Sequence, residues 1–448
     1  MVDFLFIYEI KNRELENICL LTHELNKRGY KVKIVESWRK INHNFPKIKA
    51  KVVVVFAGYD NNQLLFYGNY SKGIKKIVDL QWEQLYTVSD EENNSVYDIK
   101  EQATKIVHIS WGNNNLNKLK YKCGIQDNFL CLAGNVTFDF LKPRFSDYYL
   151  SSKELKTKFN LLNQPVFLFI SSFSFIGMPK ESLREEVYSN LSFDPFEWQK
   201  VNVESQNTIL DWFEDALILH PEITMVYRPH PAEVGCVRLE RMEKKYPNFR
   251  VIRDLSVKQW ILCADKIFTW YSTSIAEVYV AGKSCSILRP IEISSEMDVR
   301  IYHGCQSIKE KEAFLKDYSN TSIQFPLKVK TLNDYYSFGN NYSYLKICDK
   351  LIDVLNDDSY LLNLNDLKFS SSPFFKYPLR SIKLFIKRVM IKAYSRKKLF
   401  FKIANRNQRF SKIMENGLFA EKMTINNYAS KKEIKRILLK IDQVLNKN

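Results

Sequence analysis

Thr224-Met225-Val226-Tyr227-Arg228-Pro229-His230-Pro231-Ala232-Glu233 runs a β-type segment into a turn made rigid by two prolines. The strand is expected over 224–227, and the turn displays Arg228, His230 and Glu233 at its carboxyl end. An arginine fork suits phosphate. A histidine donates to phosphate or moves a proton near neutral pH. A carboxylate accepts hydrogen bonds from sugar hydroxyls. The plainer alternative is a strand-end turn with a solvated histidine.

Working outward, the same alternation of strand and helix surrounds this segment. Strands are expected at 166–171, 250–252, 266–269 and 284–288, with helices at 203–219 and 238–245 between them. The earlier part of the chain repeats the pattern, with strands at 2–8, 31–36, 52–56, 76–80, 105–109 and 129–132. Its first helix, 14–28, puts Leu15, Ile18, Cys19, Thr22 and Leu25 on one face and stops at Gly29. Val52 to Phe56 is continuously apolar, as a strand covered on both faces must be. Alternating strands and helices predict parallel sheets of the α/β class, here two doubly wound domains in tandem. The boundaries read as 1–145 for the first domain, 146–164 for a linker, 165–370 for the second domain and 371–448 for a helical extension. Two such sheets facing each other form a cleft at the carboxyl ends of their strands, where ligands bind.

A second element supports an anion site. After the expected strand 266–269 comes Trp270-Tyr271-Ser272-Thr273-Ser274, then a helix closed by Gly282. Three hydroxyls where a helix begins fit phosphate, and ordinary N-capping is the alternative. In the first domain, Glu9 and Glu14 flank the first strand-to-helix turn. A carboxylate there can deprotonate an acceptor hydroxyl or act as nucleophile. For Glu14 a charge complementing the helix dipole is the simpler reading. Asp139 reads as a structural cap.

The order Arg228 to Glu233, then Asp265, Ser272-Thr273, Glu277 and Gly282-Lys283 resembles the nucleotide-binding half of bacterial surface-carbohydrate glycosyltransferases. That group includes Kdo transferases of capsule and O-antigen synthesis, HP-motif sialyltransferases and teichoic-acid glycerophosphotransferases. The chain is most similar to the surface carbohydrate biosynthesis protein family. Tyr8-Glu9-Ile10-Lys11-Asn12-Arg13-Glu14-Leu15, Ser110-Trp111-Gly112, Gly134 to Leu141 and Ile170 to Phe175 resemble further segments of it, so the likeness spans residues 2 to 290. Val136-Thr137 stands where the family usually has Pro-Arg, and Ser171-Ser172 where it has a more Asn-rich run. The resemblance implies a GT-B fold and a donor carrying CMP or CDP, with a Kdo- or sialic-acid-like sugar. It implies that His230 contacts the donor phosphate and assists departure of the nucleotide. Ser272, Thr273 and Ser274 would hold phosphate, Glu233 or Glu277 ribose or base, and Arg228 the donor side or a neighbouring ion pair. Glu9 would be the base, with Glu14 and Lys11 on the acceptor side. The acceptor would be a lipid-linked or oligosaccharide chain. No Asp-x-Asp pair, no Gly-x-Gly-x-x-Gly and no metal-ligand spacing among six histidines occur, so neither metal nor cofactor is expected beside the nucleotide-sugar donor.

The chain has 448 residues and a net charge of +17. Residues 376–412 hold 13 Lys/Arg and no Asp or Glu, leaving 54 basic against 50 acidic residues elsewhere. Within that segment Ile382, Phe385, Ile386, Val389, Met390 and Ala393 share one helical face, and Lys383, Lys387, Arg388, Lys392 and Arg396 lie off it. This is the pattern of a helix in an anionic membrane interface, or of a helix packed on the enzyme body with a solvated basic face. Eight cysteines without a Cys-x-x-Cys pair, no basic leader and no apolar run of ~20 residues predict a cytosolic chain, soluble or peripheral. The resemblance, together with the basic segment, implies a place on the inner face of the bacterial cytoplasmic membrane. Three other readings compete: a CDP-polyol phosphotransferase of teichoic-acid type, a sugar-nucleotide epimerase, and a non-enzymatic basic protein that binds nucleic acid or membrane. Confinement of the charge to one amphipathic segment, with no known module, argues against nucleic acid.

Overall fold

A computed structural model describes residues 1–37, 47–95, 97–161, 165–178, 183, 193–233, 236–320, 322, 324–362, 367 and 427–447. The expected amphipathic segment 376–412 lies outside the described residues.

Two parallel sheets, each of six strands among the described residues, carry the molecule. The first contains β1 (Val2–Tyr8), β2 (Val32–Glu36), β3 (Ala50–Val55), β4 (Lys76–Asp79), β5 (Val107–Ser110) and β6 (Leu130–Leu132), in the order β2-β1-β3-β4-β5-β6. The second contains β7 (Val166–Ile170), β8 (Thr224–Arg228), β9 (Phe249–Val251), β10 (Lys266–Thr269), β11 (Cys285–Leu288) and β12 (Ser307–Ile308), in the order β12-β11-β10-β7-β8-β9. Phe4 to Tyr8, Val52 to Val55 and Val166 to Ile170 are buried along their length, because helices cover both faces of a parallel sheet. This is the tandem α/β architecture expected.

The differences from expectation have local causes. The long helix begins at Pro195, not at 203, because Asp194 caps it by accepting from Phe196 N at 2.9 Å and proline suits a first turn. The fifth strand starts at Val107 because Glu101–Lys105 winds into a 3-10 turn. The two-residue β12 carries too little pattern to be read in advance.

The chain crosses back after the second sheet. The helix Ser343–Asn356 packs on the first helix, Lys11–Lys27, and on β3. Asp139 caps it, accepting from Ser343 N at 3.1 Å and Tyr344 N at 2.8 Å. The helix Lys431–Leu445 also lies on Lys11–Lys27. Residues 343–362 thus pack with the first sheet, although the sequence pattern groups them with the second. The stretch read as a linker contains a helix, Ser152–Lys158, closed by a Ser151/Glu154 capping box.

Several contacts seal the domains along one side. Thr87 and Val299 form an antiparallel bridge, and Arg300 pairs with Glu91 at 2.8 Å. Lys258 pairs with Glu16 at 3.1 Å. The main chain at Tyr335 and Tyr336 crosses directly over Gly112, where an added Cβ would lie 2.6 Å from Tyr336 N. Trp111 and Tyr336 stack beside it with ring centroids 5.8 Å apart.

Candidate active site

The β8 turn is held from within. Glu233 is 3% exposed and accepts four hydrogen bonds. Its Oε1 takes Gln206 Nε2 at 2.8 Å and Tyr227 OH at 2.9 Å. Its Oε2 takes Ser171 Oγ at 2.5 Å and the His230 N–H at 3.1 Å. Burial pushes the Glu233 carboxyl up, and these donors work in the opposite direction. Arg253 closes the turn from outside, donating to the carbonyls of His230 at 3.3 Å and Glu233 at 3.0 Å. Glu233 therefore braces the turn that carries His230.

His230 is half-buried, and its Nδ1 accepts from Ala232 N at 3.1 Å. The proton of the neutral ring then sits on Nε2, which becomes a donor. Burial lowers its pKa to about 4, aided by the positive charges of Arg13 and Arg253 and opposed by Glu83. Arg13 and Glu83 belong to the first domain, so the histidine turn faces that domain within electrostatic reach. Arg228 ends β8 and donates one nitrogen to Asp254 O at 2.9 Å and another to Leu255 O. Leu255 has φ +65, a costly conformation for this residue type, and the arginine fork holds it there. Burial lowers the Arg228 pKa to about 10.

Opposite lies an ionic cluster at the end of β1. Arg13 meets Glu14 at 2.7 Å and Glu9 at 3.8 Å, and it pairs with Glu83 from the loop after β4. Glu14 is wholly buried and accepts from Glu9 N at 2.8 Å and Ile10 N at 3.2 Å, so it closes the start of the helix. That agrees with its structural reading. Glu9 keeps 32% side-chain exposure. Burial raises its pKa to about 7, the Glu14 charge adds to the rise and Arg13 opposes it. Lys11 turns away from this cluster toward Glu433, at 3.5 Å.

The third group follows β10. Ser272 Oγ accepts from Ser274 N at 3.3 Å, and Tyr302 OH donates to Ser272 O at 2.6 Å. Ser274 precedes the helix Ile275–Val280 without a side-chain cap bond, and Thr273 is exposed. Glu277 is half-buried, with its pKa raised to about 7 by burial against the opposing charge of Lys258. Hollows of about 380 Å³ beside Arg300 and about 610 Å³ beside Phe140 lie away from Glu9 and His230.

The structure brings Glu9, Arg13, Glu14 and Glu83 together, and separately His230, Glu233, Arg253, Gln206, Tyr227 and Ser171. Arg13, Glu83, Arg253 and Gln206 were not singled out in the sequence. Glu83 and Arg253 each follow a strand's carboxyl end by a few residues, and that position is the signal available.

No protein-family model and no curated protein matches the chain. Solved structures do. One is a histidine-to-alanine variant of the wall teichoic acid polymerase TagF, with TM-score 0.51 and 12% identity, covering 79% of this chain and 89% of that one. A TagF variant soaked with CDPG gives 0.50 and 12% over 79% and 88%. The UDP-GlcNAc 2-epimerase of Methanocaldococcus jannaschii, with UDP-GlcNAc and UDP, gives 0.48 and 14% over 78% and 99%. At these identities the likeness concerns fold. The chain has the GT-B fold, two Rossmann-like domains facing across a cleft.

Proposed function

We propose that this protein is a glycosyltransferase of bacterial surface-polysaccharide synthesis. It moves a sugar from a nucleotide-activated donor, CMP-linked and of Kdo or sialic-acid type, to a polysaccharide growing on a lipid carrier. The observation that carries the reading is geometric: Glu9, at the end of β1, has only the distant Arg13 as partner among the described residues, and His230, at the end of β8, has its Nδ1 occupied so that Nε2 is the donor, with Arg13 and Glu83 beside Glu9 also acting electrostatically on the histidine.

In this reading Glu9 removes the acceptor hydroxyl proton as that oxygen attacks the anomeric carbon. The bond from anomeric carbon to phosphate oxygen breaks, and the electron pair leaves with the nucleotide. His230 Nε2–H donates to the departing phosphate, whose negative charge raises the imidazole pKa from its low resting value. Ser272, Thr273 and Ser274 supply hydroxyls to the phosphate, and Glu277 takes ribose or base. Arg228 and Glu233 serve the donor side through the turn they hold. Lys11 and Glu14 serve the acceptor side through the helix carrying the Glu9 cluster. The reaction proceeds without a metal. The protein works at the inner face of the cytoplasmic membrane, with residues 376–412 on anionic lipid and no nucleic acid bound. No described helix is long and apolar enough to cross a membrane.

A second reading, transfer of a polyol phosphate from a CDP-linked donor, is favoured by the likeness to TagF soaked with CDPG. There the acceptor oxygen attacks phosphorus and CMP leaves. Calorimetric titration with CMP, CDP, UDP and GDP tests both. Selective cytidine-nucleotide binding, lost in Ser272→Ala/Thr273→Ala, is expected. Preference for UDP or GDP discards both donor classes. Mass spectrometry of acceptor products separates the two, since one adds a sugar acid and the other a polyol phosphate.

A further inference from the structure

The helix Lys431–Leu445 sorts its charges by direction. Its two acidic residues reach the first helix, Glu433 meeting Lys11 at 3.5 Å and Asp442, at the margin of the contact, meeting His23 at 2.9 Å. Ile441, Val444 and Leu445 are buried on the same side. Lys431, Lys432, Lys435 and Arg436 are all exposed. Positions 432, 435, 436 and 439 share one helical face, and at 439 that face carries a leucine 52% exposed. Tyr428, 40% exposed, precedes the helix.

An ordinary solvated helix face mixes both signs of charge. Here both acids pair with residues of the first helix, Glu433 mostly covered and Asp442 still 51% exposed, and neither lies among the cations at 432, 435 and 436. The like charges are also close enough to act on one another. Lys440, set over the Tyr148 ring at 4.5 Å, has its pKa lowered by burial and by Arg436 and Lys158, against Glu16. A cationic face around a protruding leucine, with an aromatic at its margin, matches the headgroup region of an anionic bilayer. Nucleic acid would meet the cations but gains nothing from an aliphatic side chain.

We propose that the outer face of the helix Lys431–Leu445 is a docking surface for anionic lipid bilayers, built into the folded first domain. It is distinct from residues 376–412, and it would fix the orientation of the domain on the membrane. The docking is tied to the Glu9 turn. Tyr8 OH donates to Asn427 O at 2.9 Å, and Asn427 Oδ1 accepts from Lys11 N at 2.9 Å. The segment leading into the helix therefore caps the first turn after β1.

The test uses the full-length protein with phosphatidylglycerol-rich vesicles, pure phosphatidylcholine vesicles and duplex DNA. Lys432→Glu/Lys435→Glu should weaken sedimentation with the anionic vesicles at least about tenfold. Leu439→Trp should show difference emission that shifts blue on those vesicles, and not on phosphatidylcholine or DNA. Undiminished sedimentation of the charge-reversed variant, or emission unchanged while the protein sediments, overturns the proposal. So does a blue shift that DNA produces and anionic vesicles do not. Nucleotide titration of the same variants should be unaltered, which separates this outcome from the fate of the catalytic reading.

Discussion

The two turns that face each other across the cleft contain carboxylates pushed up by the same cause, burial, and the two serve different ends. Glu233 has every lone-pair direction answered by a donor, two side chains on Oε1 and one side chain and the His230 amide on Oε2. Among the described residues, the Glu9 side chain has only the 3.8 Å contact with Arg13. A saturated buried carboxylate makes a joint, and under the proposed mechanism the unsaturated one is the reagent. A raised pKa alone therefore does not mark a catalytic group. The count of satisfied lone pairs separates the two.

The sharpest way to break this contrast is at the histidine that Glu233 holds. His230→Ala should lower kcat by about a thousandfold, with the melting temperature nearly unchanged, because Glu233 and Arg253 brace the turn and the ring adds only an exposed contact with Ala232 N, which water can replace. Near-normal turnover in that variant removes His230 from the mechanism.

Glu9→Gln should cost about a hundredfold in kcat. The parent rate should rise with pH through about 7, as the carboxylate forms, and the variant should lose that limb. Stability should move the other way. The unfolded carboxyl titrates near 4.5 and the folded one near 7, so between those values the folded state binds more protons and loses stability as pH rises. The glutamine variant avoids that loss and should melt higher than the parent at pH 8. Equal melting temperatures there would show that Glu9 is not desolvated.

Glu233→Gln replaces one acceptor oxygen with a donor facing two donors. It should destabilise by about 1–3 kcal/mol and reduce kcat about tenfold through a displaced His230, as read by thermal melting and by kcat with donor KM nearly constant. Arg228→Lys should be mildest, at about 1 kcal/mol, since one of the two carbonyls at Asp254 and Leu255 keeps a partner. A loss of nucleotide affinity larger than the loss of stability would instead make Arg228 a ligand contact.

The fold behind this contrast was visible in the chain alone, but the bracing role of Glu233 was not, since the sequence reading assigns it to ribose or base. Alternating apolar runs such as Val52 to Phe56 and helical patterns such as Leu15, Ile18 and Leu25 report burial, and burial decides the class of fold. The Arg228-to-Glu233 turn was legible because proline and strand pattern fix local geometry. Periodicity is silent on which sheet a helix will cover, so the return of Ser343–Asn356 to the first domain could not be read. Pairings between distant loops were equally hidden. Arg13 with Glu83 and Arg253 with the His230 carbonyl join residues 70 and 23 positions apart, and no local pattern specifies them. Asp139 fitted the structural role assigned to it, though the helix it caps begins more than 200 residues later.

Gly112 gives a handle of another kind. The Tyr335–Tyr336 backbone occupies the space a side chain would need, so one methyl group there acts as a wedge, and Gly112→Ala should prise the seam apart without touching either turn. Scattering or a distance probe across the cleft would then report how far the halves swing as they part.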